Sequence, residues 1–269
     1  MRLVVTTPLH PTPDEVGGAL TAAERYALPY AAREGRALTR VVAGAGAEAA
    51  LVLSRTRAVL VGGGAEHAWA PGMGALRLKR LLDVQAGRPT DPTARDPFLD
   101  AAELRRGDRV IDCTCGLGAD ALVAAGAVGP DGRVVALESS RPLAAWTGEG
   151  LRRHPEEAAR RVEVLAADHQ VFLAEQPPAS ADVVVFDPMF RHARAEPGGF
   201  DVIRRLSDPR PLSEEALHQA RRVARRWVVV KDGAPGWDLA RLGLTPLPSA
   251  RGAHRYYGRL APGAPAGGP

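Results

Sequence analysis

The amino-acid sequence predicts an α/β protein, with a doubly wound, mostly parallel sheet that ends in an antiparallel hairpin and follows a small N-terminal α+β domain. Apolar, β-branched runs alternate with helical stretches in the second part of the chain, a pattern typical of a parallel sheet covered on both faces. No helical stretch separates the last two apolar runs, which indicates the hairpin. A polar, proline-rich linker over 87–97 separates this region, 98–262, from the N-terminal domain, 1–86.

The composition indicates a globular protein. Of the 269 residues, 45% are hydrophobic and 25% are charged, and no apolar run reaches the roughly 18–20 residues of a membrane span. The N-terminus has no apolar segment of the signal-peptide kind. Cys113 and Cys115 lie too close together to staple a secreted fold, and without nearby histidines they favour small loop residues over metal ligands. We expect a soluble, cytoplasmic protein without disulfides, bound metal or membrane contact.

The chain is mildly basic. Its net charge is +4, and all but Lys79 and Lys231 of its 35 basic residues are arginines. Arginine binds phosphate bidentately and stacks on bases. Taken alone, a net charge of +4 is weak evidence for a nucleic-acid partner. The charge therefore permits an RNA substrate without predicting one.

The N-terminal domain contains several short signals. Leu3–Thr6 is predicted to be a strand. A helix is expected to begin after Thr12, because Pro13 suits a first helical turn and Glu15 completes a capping box. Two apolar runs with a polar turn between them predict a β-hairpin, Ala50–Leu53 and Ala58–Val61.

The last predicted element of the N-terminal domain is a helix over Met73–Val84. Its predicted inward residues are Leu76, Leu81 and Leu82. Its predicted outward residues are Arg77, Lys79 and Arg80, which together with Glu66 favour a solvated face over a phosphate-binding track. Trp69, which precedes the helix, is interpreted as a packed aromatic rather than a surface on which bases stack.

After the linker, five apolar runs predict the parallel strands: Arg109–Cys113, Arg133–Glu138, Val162–Ala166, Ala181–Phe186 and Trp227–Lys231. The helical stretches between them are Ala119–Ala127, Arg141–Arg153, a short turn after Asp168, and Ser213–Arg225. The hairpin, Leu244–Leu247 with Arg255–Leu260, brings the predicted sheet to seven strands. Right-handed crossovers would place a site at the carboxyl ends of the strands. The Gly/Pro/Ala tail, 263–269, is expected to be disordered.

Ligand-binding signals occur where the first three parallel strands end. Gly116 and Gly118 allow a tight turn and a close backbone approach to a ligand just before a helix N-terminus. Glu138 follows about 20 residues later and can accept hydrogen bonds from both hydroxyls of a ribose. Asp168 and His169 stand where a side chain and a backbone N–H can reach the edge of an adenine. These signals suit a nicotinamide dinucleotide as well as S-adenosylmethionine.

Three features favour S-adenosylmethionine. Asp112 lies inside the glycine loop, where it would repel a pyrophosphate but stabilise an α-ammonium group. The terminal hairpin is usual in class I methyltransferases. The fourth strand is followed by Asp187-Pro188-Met189-Phe190, which resembles the (Asp/Asn)-Pro-Pro-(Tyr/Phe) motif of enzymes that methylate exocyclic amino groups of bases. An Asp-Pro pair can also simply end a strand, but the upstream loop and Glu138 favour the motif.

The motif has a direct chemical rationale. An exocyclic amino group is a poor nucleophile because its lone pair is delocalised into the ring. If the Asp187 carboxylate and the Pro188 carbonyl accept its hydrogens, the lone pair is directed outward. Phe190 offers a flat face for stacking the base, worth about 1–3 kcal/mol. Alignment and charge placement would do most of the catalysis, and no metal is required.

Over residues 108–260 the sequence resembles the 16S ribosomal RNA (guanine-N2) methyltransferase family of the RsmJ type. The motifs that carry the resemblance are Asp112-x-Thr114-x-Gly116-Leu117-Gly118-x-Asp120-Ala121, Glu138, Asp187-Pro188-Met189-Phe190-x-His192, Val229-Val230-Lys231 and His254-Arg255-x-Tyr257. It differs at Arg191, where the family usually has proline, and at Asp232, where a basic residue is common. The resemblance implies a Rossmann-like class I methyltransferase, S-adenosylmethionine as cofactor, and binding and processing of ribosomal RNA or the small ribosomal subunit.

The predicted site has three groups of residues. The catalytic group is Asp187, Pro188, Met189 and Phe190. The cofactor-binding group is Asp112, Thr114, Gly116, Gly118, Asp120, Glu138, Ser139, Asp168 and His169. The substrate-binding group is Arg191, His192, Arg194, Lys231, His254 and Arg255, although Lys231 is equally well interpreted as an ion-pair partner of Asp187. The segment 191–210, with five arginines, is interpreted as a basic lid that orders on RNA.

Two alternatives remain open at this point. A methyltransferase acting on a small molecule or a protein would use the same cofactor with a different acceptor. A nicotinamide-dependent oxidoreductase, or a non-catalytic nucleotide-binding module, would leave Asp-Pro-Met-Phe unexplained.

Overall fold

The computed structural model describes residues 1–89, 91, 95–188, 205–248 and 254–263. Its strands are β1 (Leu3–Thr6), β2 (Ala49–Leu53), β3 (Ala58–Gly62), β4 (Ala65–Ala68), β5 (Arg109–Asp112), β6 (Arg133–Glu138), β7 (Val162–Ala166), β8 (Ala181–Phe186), β9 (Ala224–Gly233) and β10 (Arg255–Leu260). Its helices are α1 (Pro13–Arg25), α2 (Leu38–Gly44), α3 (Met73–Gln85), α4 (Pro97–Ala102), α5 (Ala119–Val128), α6 (Arg141–Arg152), α7 (Glu157–Arg160), α8 (His169–Glu175), α9 (Glu214–Val223) and α10 (Trp237–Arg241). None of these helices is long and apolar enough to cross a membrane.

The N-terminal strands form a four-stranded sheet in the order β1-β2-β3-β4. The predicted hairpin is confirmed as β2 and β3, and the predicted strand β1 pairs with β2 in parallel. The capping box at the start of α1 is also confirmed, since Glu15 N donates to Thr12 Oγ1 and Thr12 N donates to the Glu15 carboxylate. Sequence analysis missed β4, an exposed Ala-Glu-His-Ala segment that is defined by its pairing with β3.

Helix α3 is where predicted, but two of its side chains face the other way. Leu76 was predicted to point inward and is 42% exposed, whereas Arg77 was predicted to point outward and pairs with Asp96 and Asp120. The reason is that α3 packs directly on α5. Cβ atoms built at Gly74 and Gly126 would lie 2.8 Å from Ala119 Cα and 2.4 Å from Leu78 Cδ1, respectively. This close approach selects the face that carries Gly74, Arg77 and Leu78.

The second sheet confirms the predicted doubly wound α/β fold. Its order is β10-β9-β8-β5-β6-β7, with β10 antiparallel to β9 and the other pairs parallel. Because side chains alternate along a strand, each strand contributes to two apolar layers. In β8, Val183 and Val185 join the cluster that contains the buried residues of α5, while Val184 and Phe186 join the cluster that contains those of α9.

The seventh predicted strand is not formed as a strand in the part of the chain that the structure describes. Leu244–Leu247 contributes one antiparallel bridge, between Pro246 and Gly258, and Leu247 N donates to Tyr257 O at 2.7 Å. Pro246 and Pro248 have no N–H to donate, so a longer ladder cannot form there. Two smaller differences are that the short turn after Asp168 is the helix α8, and that β9 begins at Ala224.

The N-terminal residues and the second sheet share one apolar cluster, which extends from Leu3 to Tyr257. Helix α6 and its C-cap residue Arg153 make three polar contacts across this junction. Trp146 Nε1 donates to Ala58 O at 3.3 Å, Arg153 Nε donates to Ser54 O at 2.7 Å, and Arg25 pairs with Glu149 at 2.8 Å. Of the predicted linker, 90 and 92–94 lie outside the described residues, as do 264–269 of the predicted disordered tail.

Trp69 is a packing residue, as predicted. It contacts the apolar cluster, and its indole lies against α6 at Gly150, where an added Cβ would come within 2.0 Å of Trp69 Cδ2. The absence of a side chain at Gly150 therefore allows the indole to lie on the helix.

We expect Gly150→Ala to lower the free energy of unfolding by about 1–3 kcal/mol, because the new methyl group overpacks against Trp69. Denaturant unfolding followed by circular dichroism measures the change. The control is Gly17→Ala on α1, where a Cβ has no neighbour within 4 Å, and which should be neutral or stabilise by up to about 1 kcal/mol. Equal stability of the two variants would contradict the close Trp69–Gly150 contact.

Candidate active site

The candidate site lies at the carboxyl ends of the central strands. Chain order reverses between β5 and β8, and in doubly wound sheets ligands bind in the crevice at such a switch point. Asp112 ends β5, Asp187 follows β8, and Glu138 ends the neighbouring strand β6. The structure therefore brings three predicted acidic residues to one edge of the sheet.

The glycine loop between β5 and α5 is packed on one side and open on the other. Gly116 and Gly118 adopt left-handed backbone angles, with φ of 53° and 76°. A Cβ at Gly118 would lie 3.1 Å from both Thr147 Cγ2 and Leu151 Cδ1 of α6, and Thr147 Oγ1 donates to Gly116 O at 2.6 Å. A Cβ at Gly116 would meet only Thr114 O, at 3.9 Å. The loop thus leaves room at Gly116 for a ligand to approach the backbone.

The Glu138 carboxylate is fixed by backbone hydrogen bonds, one of them from the glycine loop. Its two carboxylate oxygens accept hydrogen bonds from Gly116 N at 3.1 Å and from Ser140 N at 3.0 Å. Burial raises the pKa of this carboxyl, which is only 7% exposed. A carboxylate offers about four acceptor positions, so the two backbone bonds leave capacity for ligand hydroxyls. The Glu138 carboxylate is therefore held in a fixed orientation and keeps free acceptor positions.

Asp112 is a buried carboxyl beside the same loop. It is 3% exposed, and Oδ1 accepts a hydrogen bond from Thr114 N at 3.0 Å. Burial is the largest cause that raises its pKa to about 7, and the nearby Asp120 and Asp187 carboxylates raise it further. Such a carboxyl gains a favourable interaction when a cation comes close to it.

Asp168 and His169 begin helix α8, at the end of β7. Asp168 caps this helix by accepting from Gln170 N at 2.8 Å, and it pairs with Arg210 at 2.5 Å. His169 packs edge-on against Phe186 with ring centroids 5.6 Å apart, and burial lowers its pKa. Both residues therefore lie at the carboxyl end of β7, at the same edge of the sheet as Glu138.

Two further residues belong to this side of the cleft. Arg210 also pairs with Asp208, and Ser139 Oγ donates to Asp208 Oδ2 at 3.4 Å. Sequence analysis missed Asp208, and it counted Arg210 only as one of the lid arginines. Both are distant in sequence from the motifs, so local spacing carries no signal for them.

The other side of the cleft is built from ion pairs around Asp187. Asp187 N donates to Thr114 Oγ1 at 2.6 Å, which fixes the backbone after β8. Lys231 Nζ pairs with Asp187 Oδ2, and it also pairs with Asp120 Oδ2 at 3.1 Å. The predicted ion pair between Lys231 and Asp187 is thus present. Thr114 and Asp120, which were predicted to bind the cofactor, are engaged with Asp187 and Lys231.

Sequence analysis missed Arg77, whose guanidinium pairs with the second oxygen of Asp120. The available signal is its helical spacing, because Arg77 follows Gly74 by three residues and precedes Leu81 by four. That spacing puts Arg77 in one stripe with Gly74 and Leu81, and the contact with α5 makes this stripe the packed face of α3.

The remaining predicted substrate residues fall into two groups. His254 and Arg255 have exposed side chains at the start of β10, and Arg255 is close enough to lower the pKa of Asp187. Met189, Phe190, Arg191, His192 and Arg194 lie outside the described residues. Asp232, where the resembled family commonly has a basic residue, caps α10 by accepting from Asp238 N at 2.8 Å and Leu239 N at 3.1 Å.

The two thiols near the glycine loop are internal packing groups. Cys113 and Cys115 are free and buried, and burial raises the pKa of both well above its usual value. No group of three or more metal-ligating side chains occurs within the ranges that the structure describes.

The doubly wound sheet, the open glycine loop and the acidic residues at three strand ends define a nucleoside-binding α/β protein of the class I methyltransferase type. A family model described as "Putative SAM-dependent methyltransferase" matches residues 85–241. The chain therefore belongs to this family of S-adenosylmethionine-dependent methyltransferases, and its cofactor is S-adenosylmethionine. Family membership decides against the nicotinamide-dependent alternative.

Two individual relatives match large parts of the chain. The chain is 30% identical over 235 residues to the uncharacterized protein YpiP of Bacillus subtilis (strain 168), a match that covers 85% of this chain and 88% of the relative. It is 36% identical over 168 residues to the ribosomal RNA small subunit methyltransferase J of Alkalilimnicola ehrlichii, covering 54% of this chain and 62% of the relative.

A solved structure resembles the fold over nearly its full length. The S-adenosylmethionine-dependent methyltransferase NGO1261 from Neisseria gonorrhoeae matches with a TM-score of 0.59 and 19% identity, and the match covers 96% of each chain. At this identity the likeness concerns the fold alone.

We expect Asp112→Asn to change how stability depends on pH. The pKa in the folded protein, about 7, lies above the ordinary value of 3.8, so the ionised form weakens the fold. The cost is absent at low pH, grows as the pH rises from about 4 to about 7, and persists above it. The variant should gain about 2–4 kcal/mol over the wild type at pH 8 and none at pH 4.

Urea unfolding without cofactor across this pH range measures the effect. The control is Asp131→Asn, a change at an exposed position. If Asp112→Asn shows the same small, pH-independent change as the control, Asp112 does not carry the buried charge described above.

Proposed function

We propose that this methyltransferase modifies an exocyclic amino group of a base, and that the acceptor is guanine N2 in the 16S ribosomal RNA of the small subunit. The observation that carries the proposal is the position of Asp187-Pro188, directly after β8 at the switch point beside the cofactor-binding loop. A second support is the 36% identity to relatives named ribosomal RNA small subunit methyltransferase J.

The cofactor would be held by the residues that the sequence predicted around the glycine loop. Asp112 would face the α-ammonium group, and Glu138 would accept from the ribose hydroxyls. Asp168 and the neighbouring backbone would bind the adenine, whereas Thr114 and Asp120 would act through Asp187 rather than through the cofactor. When bound, S-adenosylmethionine supplies a methyl group that the positively charged sulfonium has already activated.

The acceptor amino group would be oriented by Asp187 and Pro188. Lys231 occupies Oδ2 of Asp187, so we assign Oδ1, together with the Pro188 carbonyl, to the two hydrogens of the amino group. Accepting both hydrogens directs the nitrogen lone pair toward the reactive methyl carbon. The proton lost after transfer is already hydrogen-bonded at Asp187 Oδ1, which provides its path away from the base.

The base must leave its stack to reach this position. Phe190 is proposed as the stacking surface, and Arg191, His192, Arg194, His254 and Arg255 as contacts to the RNA. Binding of this kind neutralises phosphates and weakens as salt is added. A small-molecule or protein acceptor would not require that salt dependence.

The proposed role of Asp112 predicts that cofactor binding depends on pH. The α-ammonium group favours the ionised carboxylate, so binding below pH 7 must release a proton. We expect S-adenosylhomocysteine to bind about tenfold more tightly at pH 8 than at pH 6. Calorimetry in buffers of different ionisation enthalpy should detect proton release for the wild type and none for Asp112→Asn. Equal pH dependence of both proteins would remove Asp112 from the ammonium site.

The proposed role of Asp187 predicts that Asp187→Ala loses methyl transfer but keeps cofactor binding. We expect kcat to fall at least about 100-fold, because the amino group loses its acceptor, while the Kd for S-adenosylhomocysteine changes less than about threefold. The matched control is Asp182→Ala, at the opposite end of β8, where the carboxylate accepts from Arg109 N at 2.8 Å. Unchanged turnover of Asp187→Ala would contradict the amino-group mechanism.

Mass mapping of ribosomal RNA identifies the acceptor. In a strain that lacks the gene, one N2-methylguanine of the small-subunit RNA should be missing, and wild-type protein but not Asp187→Ala should restore it. If the ribosomal RNA of the strain that lacks the gene carries all of its usual methyl groups, the acceptor is instead a small molecule or a protein.

A further inference from the structure

Five side chains of alternating charge form a continuous chain that ends at Asp187. We call this set the charge chain: Asp96, Arg77, Asp120, Lys231 and Asp187. We propose that Asp120 and Arg77 are positioning residues for methyl transfer. They keep Lys231 shared between two carboxylates. As a result, the Asp187 carboxylate stays oriented toward the acceptor and keeps its negative charge. This inference rests on the proposed function of Asp187.

Lys231 is the central member of the charge chain. Its ammonium group is buried and pairs with one oxygen each of Asp120 and Asp187. A lysine ammonium is a point charge, and its interaction with one carboxylate weakens when a second carboxylate shares it. Asp187 is thus fixed by the lysine without being neutralised completely, and it keeps the charge with which to accept an amino hydrogen.

Asp120 is in turn balanced by Arg77. One oxygen of Asp120 accepts from the Arg77 guanidinium and the other from Lys231. Each cation therefore determines how strongly Asp120 attracts the other one. Without Arg77, Asp120 would draw Lys231 away from Asp187. Without the charge of Asp120, Lys231 would form an ion pair with Asp187 alone.

Arg77 is held in place by contacts on both sides. Its Nε and Nη2 atoms donate to Asp96 at 2.8 and 3.0 Å, and Asp96 also caps α4 by accepting from Phe98 N at 3.0 Å. The close contact of Gly74 with Ala119 brings α3 against the first turn of α5, where Asp120 lies. Helix α3 thereby positions the Arg77 guanidinium on the side of the site that contains Asp187.

Several groups act on the Asp187 carboxyl within the described part of the chain. They are Lys231 of β9, Asp120 of α5, Asp112 of β5, and Arg255 and Tyr257 of β10. Burial raises the pKa of Asp187, Lys231 lowers it, and Asp120 raises it. Changes of charge at Asp120 and Lys231 therefore reach the Asp187 carboxyl, where titration can detect them.

The test compares Asp120→Asn with Arg77→Met in the full-length protein saturated with S-adenosylhomocysteine. The probe is the carbon NMR signal of the Asp187 carboxyl in protein labelled at aspartate, assigned by its loss in Asp187→Asn. We expect the pKa of Asp187 to fall in Asp120→Asn, because Lys231 is no longer shared. It should rise in Arg77→Met, because Asp120 attracts Lys231 more strongly. Arg77→Lys should restore most of the wild-type titration.

The kinetic counterpart uses small ribosomal subunits from the strain that lacks the gene. Both Asp120→Asn and Arg77→Met should lose at least about tenfold in kcat, while the Kd for S-adenosylhomocysteine stays within about twofold of the wild-type value. The acid limb of the profile of kcat against pH should move to lower pH in Asp120→Asn and to higher pH in Arg77→Met. The matched control is Arg25→Met, which breaks the ion pair between α1 and Glu149 of α6. It should lower stability but leave the Asp187 titration unchanged.

Two failures are distinguishable. If Asp187→Ala retains full turnover, the proposed function of Asp187 is wrong. If Asp187→Ala is inactive but the Asp187 titration is the same in Asp120→Asn, Arg77→Met and wild type, the positioning role is wrong and the proposed function stands. A shift in the same direction in both variants would also overturn the sharing of Lys231.

Discussion

Lys231 lies between the buried carboxylate of Asp120 and the partly exposed carboxylate of Asp187, and the geometry around Asp187 depends on this one cation. Asp112, Asp120 and Asp187 meet where parallel strands and the first turn of α5 converge. Removing a carboxylate from water costs several kcal/mol unless a cation and hydrogen bonds compensate for the loss. Lys231 and Arg77 provide that compensation for Asp120 and Asp187. Asp112 has no such ion pair among the described residues, and burial raises its pKa to about 7.

The two sides of the cleft are organised by different physical means. On the side that we propose for the cofactor, backbone N–H groups of the glycine loop and of Ser140 fix Glu138, and glycine conformations determine where the loop turns. On the side that we propose for the acceptor, the ion pair with Lys231 fixes Asp187. Backbone hydrogen bonds hold a group whatever its charge environment, whereas ion pairs respond to every charge that is added or removed. We infer that the acceptor side is the part of the site more sensitive to charge substitutions.

The charge compensation also connects helix α3 to the proposed site. Arg77 reaches Asp120 because glycines on α3 and α5 let the helices approach closely. The same junction continues through α6, where Trp69 packs on Gly150 and Arg25 pairs with Glu149. The N-terminal residues and the second sheet share an apolar cluster, and Arg77 of α3 pairs with Asp120, which also pairs with Lys231.

The sequence by itself determined the features that depend on local pattern: the apolar strands β5 to β9, the capping box of α1, the glycine loop, and the acidic residues at the strand ends. These follow from periodicity and from residue conformations that neighbours along the chain define. Only the tertiary structure decided that Arg77 faces inward, that Leu76 is exposed, that Asp120 binds Lys231, and that Leu244–Leu247 forms a single bridge. Helical periodicity defines the stripes of residues along a helix but not which stripe another element packs against. Ion pairs between residues far apart in sequence form only after the chain has folded.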